Sequence, residues 1–257
     1  MSLPFRTLFF KRTSEPVTID VACEGEVFQV RLRGHPRARR YTLRILSTTR
    51  EVVLSMPPRG SVKQATEFAA RNAAWIAARL KKLPHAVPFG DGTIIPLRGI
   101  DHRIEHRSGA RGTVWTEVNA SGERLLCVAG AAPHVPRRVR DYLKRKAKAE
   151  LDVASRKAAS ALGVTVKRVS IRDQTSRWGS CSTTGVLSYS WRLILAPSFV
   201  LEYLAAHEVA HLVEMNHSRA FWRVVLRICP DMDRAKTWLD THGTALHRYG
   251  MKEKAAR

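Results

Sequence analysis

Apolar and polar positions alternate with period two at the start of the chain. Val17 to Val21, Val27 to Leu32, Tyr41 to Leu46 and Glu51 to Met56 are short β-branched or aromatic runs separated by turn formers, and they predict four strands. Pro57-Pro58 stops the sheet. Ser61, with Gln64 three residues on, reads as a capping box, and Ala65, Phe68, Ala69, Ala73, Ile76 and Leu80 then keep helical spacing. Residues 84–130 return to short strands punctuated by Gly and Pro, such as Thr93 to Pro96 and Arg124 to Val128. A long helix is expected from Arg137 to Leu162, its basic residues outward and Gly163 as its stop. There follow a strand near Val164 to Arg172, a Gly/Ser loop from Thr175 to Gly185, and a strand from Val186 to Leu195. In that last strand Leu187, Tyr189, Trp191, Leu193 and Leu195 share one face. Pro197 and Ser198 open a helix that is apolar nearly all round and therefore buried. Helices around Ser218 to Ile228 and Asp231 to His247 close the pattern, with no visible repeat.

These elements predict an α+β chain. The Pro133 to Pro136 stretch is the expected boundary between a β-rich region with one helix (1–133) and a second domain (134–250), followed by a basic tail (251–257). At 257 residues, 44% hydrophobic and 26% charged, the composition is that of a globular protein with ample core. No run of 18 apolar residues is present, which excludes a spanning helix. Leu8-Phe9-Phe10 is too brief for a signal-peptide core, so no leader is expected. Cys23, Cys127, Cys181 and Cys229 form no C-x-x-C pair, which fits reduced thiols and a cytoplasmic location.

Charge changes the picture more. Lys and Arg number 44 against 22 Asp and Glu, a formal net charge of +22. The densest runs are Arg31 to Arg44, with six arginines, and Arg137 to Lys148, with seven basic residues. Such stripes attract phosphate, so non-specific nucleic acid is an expected partner class, although no nucleic-acid-binding motif accompanies them. A solvated surface explains the same charge without a partner.

The chemistry lies elsewhere, in His207-Glu208-Val209-Ala210-His211 on the buried helix. Histidines at i and i+4 share a helical face and can reach one ion, while Glu208 is placed to accept a proton from a metal-bound water. Ionisable groups on a buried helix are costly without a purpose. His217 follows His211 by six residues, about 240° further round if the helix continued. The helix must therefore end near Glu214 to Asn216, with Asn216 suited to a left-handed turn that swings His217 back. Glu214, Asp233 and Asp240 are rival third ligands. The spacing equals that of the metzincins, but Glu214 stands where those have Gly and no Met-turn follows.

The run from His207 to Trp222, together with Ser176-Arg-Trp-Gly-Ser-Cys-Ser182 and Leu187 to Leu193, resembles the YgjP-like metallopeptidases, relatives of the SprT-like proteins and minigluzincins. The resemblance implies a zincin-like core in the 134–250 domain. It also implies one zinc ion on His207, His211 and His217, with Glu208 as catalytic base and a peptide or protein as substrate. The strand from Val186 to Leu195 resembles the zincin edge strand that aligns an extended peptide. Arg177, Trp178 and Ser180 are candidate cleft residues, Arg177 for a developing oxyanion and Gly179 for close backbone approach. Cys181 reads as a plain buried thiol, Phe221, Trp222 and Trp238 as core, and His242 and His247 as surface residues. A zinc hydrolase of a phosphate-containing or nucleotide substrate, and a nucleic-acid-associated protein with a structural metal, are the competing functions. Oligomeric state is not legible.

Overall fold

The computed structural model describes residues 17–46, 49–83, 85–174 and 176–251. The Leu8 to Phe10 run, and the basic tail apart from Met251, lie outside the described residues. The chain is α+β and divides into two compact units that part between Leu83 and Pro84. The Pro133 to Pro136 stretch is therefore not where the units divide. Leu126 and Val128 before it and Val135 and Val139 after it sit in one core, and the prolines serve as a helix start rather than a linker.

In the first unit, β1 (Thr18–Cys23), β2 (Glu26–Gly34), β3 (Thr42–Leu46) and β4 (Glu51–Met56) form a sheet of order β1-β2-β4-β3. Alternation puts Val21, Val30, Leu32, Val52 and Leu54 on one face, buried against Ala65, Ala69, Ala73 and Ile76. Those four belong to α1 (Val62–Arg71) and α2 (Ala73–Lys81), two helices where one was expected, which part at Asn72. The Ser61 to Gln64 capping box is formed as read from the sequence.

In the second unit, β5 (Ile94–Leu97), β6 (Ile100–Arg107), β7 (Val114–Val118) and β8 (Arg124–Ala129) repeat that topology. Their order is β5-β6-β8-β7, with β6 and β8 parallel as β2 and β4 are. The repeat escapes sequence inspection because it lies in pairing register, not in residue identity. Next comes α3 (Val135–Leu162), ended by Gly163 at φ 67°. A second sheet, order β10-β11-β9, is built from β9 (Arg168–Arg172), β10 (Gly179–Cys181) and β11 (Val186–Ser190).

The strand expected to run to Leu195 stops at Ser190. Trp191 to Leu195 form a 3-10 turn in which every residue, Arg192 included, is buried, so alternation no longer sorts inside from outside. Three helices follow: α4 (Ser198–Ala210), α5 (Arg219–Ile228) and α6 (Met232–Leu246). One continuous core joins α3, the 3-10 turn and α4 and includes Leu143, Leu151, Tyr189, Trp191, Val200 and Val209. The unit closes on itself, because Val87 N–H donates to the Arg248 carbonyl and Gly250 N–H to the Val87 carbonyl. No helix among the described residues is long and apolar enough to cross a membrane.

Candidate metal centre and cleft

Helix α4 carries His207 on its last turn, and His211 caps its C-terminus. The helix ends at Ala210, earlier than expected. Val213 and Glu214 N–H groups both donate to the Ala210 carbonyl and turn the chain back. Asn216 is not left-handed; turns alone bring His217 home before Ser218 caps α5. The ligand-capable nitrogens of His207, His211 and His217 lie within 4.8 Å of one another, the one such cluster among the described residues. His207 Nε2 and His217 Nε2 are 3.1 Å apart. Neither Glu214, Asp233 nor Asp240 joins the cluster, although Asp240 lines the cleft beside it.

The surroundings suit a cation. His211 Nδ1 contacts the Glu214 carbonyl at 3.2 Å, a donated bond that fixes the tautomer and leaves Nε2 free. Burial, with the neighbouring imidazoles, pushes the His207 pKa down to about 4. Burial also lowers that of His211. Both rings are therefore neutral at pH 7, the form in which imidazole binds metal. Phe221, fully buried, stacks under His211 at 4.5 Å and also meets His207 and His217, so this core residue forms the floor of the site. An all-imidazole set of three fits zinc.

Glu208, next to His207 on α4, is 4% exposed and lines the same cleft as the three histidines. Burial raises its pKa to about 7, against a lowering pull from Arg177. Its carboxyl group lies against β10. A Cβ placed on Gly179 would stand 2.3 Å from Glu208 Oε1 and 2.7 Å from Cδ and Cγ, so any other residue there must displace the Glu208 side chain. The close approach expected of Gly179 is thus to the carboxylate itself.

Arg177, Trp178, Ser180 and Cys181 line a cleft of about 650 Å³ together with the three histidines and Glu208. Burial pushes the half-buried Cys181 up to about 11, so it is a thiol at neutral pH. Trp178 stacks on His247 at 5.0 Å and lies over Gly243 of α6, where an added Cβ would come within 3.2 Å of its ring. His247 is buried, 6% exposed, and not the surface residue its late position implied. The Trp178 indole covers it. Sequence reasoning missed Tyr203, Met215, Lys236 and Leu239 in the cleft wall. The signal existed for α6: positions 236, 239, 240, 243 and 247 fall on one helical face. The expected edge strand is also corrected. β11 is central, and the edge strand that lines the cleft is β10, whose three residues Gly-Ser-Cys carry too little strand propensity to be seen.

Residues 39–242 match the family described as YgjP-like, metallopeptidase domain. A crystal structure of the metallopeptidase zymogen abylysin of Pyrococcus abyssi is similar at 27% identity and TM-score 0.34, covering 38% of this chain and 97% of that one. No curated protein gives a significant match. With the match spanning most of its length, the chain belongs to the YgjP-like family of metal-dependent peptidases.

Proposed function

We propose that the chain is a zinc-dependent peptidase in which His207, His211 and His217 hold one ion and Glu208 is the general base. The observation that carries this reading is three converging imidazoles beside a buried carboxylate on one open cleft. Zinc in such a site supplies Lewis acidity, polarising a scissile carbonyl and acidifying water. Glu208, held against the Gly179 backbone, takes the proton of a water in the cleft and returns it to the departing amine. Arg177 at the rim sets positive charge where the carbonyl oxygen becomes negative. The open edge of β10 offers backbone groups to an extended peptide.

All these residues come from the second unit, which we take as the catalytic one. Four free cysteines support a cytoplasmic location. A phosphate-containing or nucleotide substrate is the second reading, favoured by Arg177 and Lys236 in the cleft wall. A purely structural metal leaves the buried Glu208 without a role.

The test joins zinc analysis to turnover of unfolded protein, peptide and nucleotide substrates. Glu208→Gln should keep its zinc and lose about 10²- to 10⁴-fold in kcat. Full activity in that variant refutes the assignment of the base.

A further inference from the structure

The repeated sheet provides an internal comparison for the arginine run, which the peptidase site does not use. Leu32, Leu54 and Leu43 sit side by side in the first sheet as Ile104, Leu126 and Thr116 do in the second. That register aligns Arg31 with Arg103, Glu51 with Glu123, Arg33 with Glu105 and Arg44 with Glu117. One ion pair is common to both: Arg31–Glu51 at 2.8 Å corresponds to Arg103–Glu123 at 2.6 Å. The rest diverges. In the second sheet Glu105 and Glu117 neutralise Arg107 and, with Glu123, close a network of both signs. In the first, both carboxylates are replaced by arginines.

Alternation sets Arg31 and Arg33 on the face of the first sheet opposite its helices, with Arg44 in the same row as Arg31 across β4. Neighbours on that face stand roughly 7–10 Å apart, within one Debye length at 0.1 M salt. The connection from β2 to β3 crosses the same end of the sheet and adds Arg37, Arg39 and Arg40, all exposed. Glu51 is the single acidic residue between Arg31 and Arg59. Among the described residues, no side-chain partner of Arg33, Arg37, Arg39, Arg40 or Arg44 is found. Most of the second basic run has partners within the fold: Arg137 pairs with Asp141, Arg138 and Arg140 bind carbonyls, Lys148 reaches Asp152 and Lys146 lies over the Tyr142 ring, which leaves Lys144 and Arg145.

We propose that this face of the first unit binds the phosphate backbone of nucleic acid. Clustered cations without internal partners repel one another, and a polyanion supplies the missing counter-charge. Arginine, which makes up the whole cluster, binds phosphate in a bidentate fork. Among the described residues the one large apolar side chain exposed on this face is Val27, too little to enter a bilayer, which separates it from a lipid-binding surface.

The test is fluorescence anisotropy of the full chain with short single-stranded and duplex oligonucleotides, from about 50 to about 200 mM salt. Arg33→Glu with Arg44→Glu recreates the carboxylates of the second sheet. It should reduce the slope of log K against log salt by about 1.4 to 1.8, with an unchanged thermal melt and zinc content. Arg145→Glu with Lys157→Glu on α3 makes the same change of net charge and should leave most of the slope intact. Three outcomes overturn the proposal: no binding at the lowest salt, an equal loss in both double variants, or binding to anionic vesicles without binding to nucleic acid.

Discussion

Replacing Gly179 by alanine separates catalysis from folding sharply. Gly179 has an ordinary negative φ, so alanine is acceptable to the backbone and would by itself stabilise the fold by about 0.4–1 kcal/mol through the unfolded state. The obstacle is one atom. The new methyl would lie 2.3 Å from Glu208 Oε1, whereas packed carbon and oxygen atoms need roughly 3.4 Å or more. β10 cannot easily retreat, because Gly179 is paired with Tyr189, which is fully buried and hydrogen-bonded to Ser155 at 3.0 Å. The carboxyl group must therefore move by about 1 Å, a displacement that costs about a hundredfold in rate when the moved group does the chemistry. Gly179→Ala should thus bind zinc stoichiometrically, melt within about 1 kcal/mol of the wild type and lose about two orders of magnitude in kcat. The assay is steady-state hydrolysis of a peptide substrate selected on the wild type, beside metal analysis and urea unfolding. A variant with full zinc and wild-type kcat would refute the role of the Gly179–Glu208 contact in placing the base.

Three other outcomes follow from the same structure. His217→Ala removes one of three ligands and should lower zinc affinity by tenfold or more, read by competition with a chelator, while leaving the melt of the metal-free protein nearly unchanged because His217 is exposed. Burial, aided by Arg192, pushes His247 down to about 4, so in the pH window from about 6.5 to about 4 the unfolded chain holds the extra proton. Its contribution is complete above about 6.5, falls as the pH drops through that window by up to about 3 kcal/mol, and changes no further below it; urea melts at two pH values should show a smaller acid loss in His247→Gln. Ser155→Ala leaves the buried Tyr189 hydroxyl without its partner and should cost about 1–3 kcal/mol by the same melts, a loss that Tyr189→Phe in the same chain should largely restore.

What the residues announced and what they concealed divide along physical lines. Local signals survived folding. The Ser61 cap, the Gly163 stop and the start of α4 after Pro197 all depend on contacts within a few residues, and each formed where expected. His217 was legible because helix geometry forces a break before it can face His207. How the chain breaks was not, since Asn216 never takes a left-handed conformation. Long-range facts stayed hidden. Burial of His247 depends on an indole 69 positions earlier in the chain, the edge role of β10 on which strands pair, and the duplicated sheet on register alone. Pro133 and Pro136 suggested a domain boundary and stand at helix starts, because the prolines carry no information about what the flanking strands pack against.

The stitched ends of the second unit have a bearing on when the protein becomes active. Val87 exchanges backbone hydrogen bonds with Arg248 and Gly250, and the buried Arg192 guanidinium donates to the Leu246 and Tyr249 carbonyls. Contacts of such sequence separation form late and slow a fold. On the ribosome, the histidine cluster would leave the exit tunnel well before the residues that clamp α6, and with it the cleft wall, in place. A nascent chain would then carry the three histidines and Glu208 before α6, which supplies Lys236, Leu239 and Asp240 to the cleft wall, is held in place.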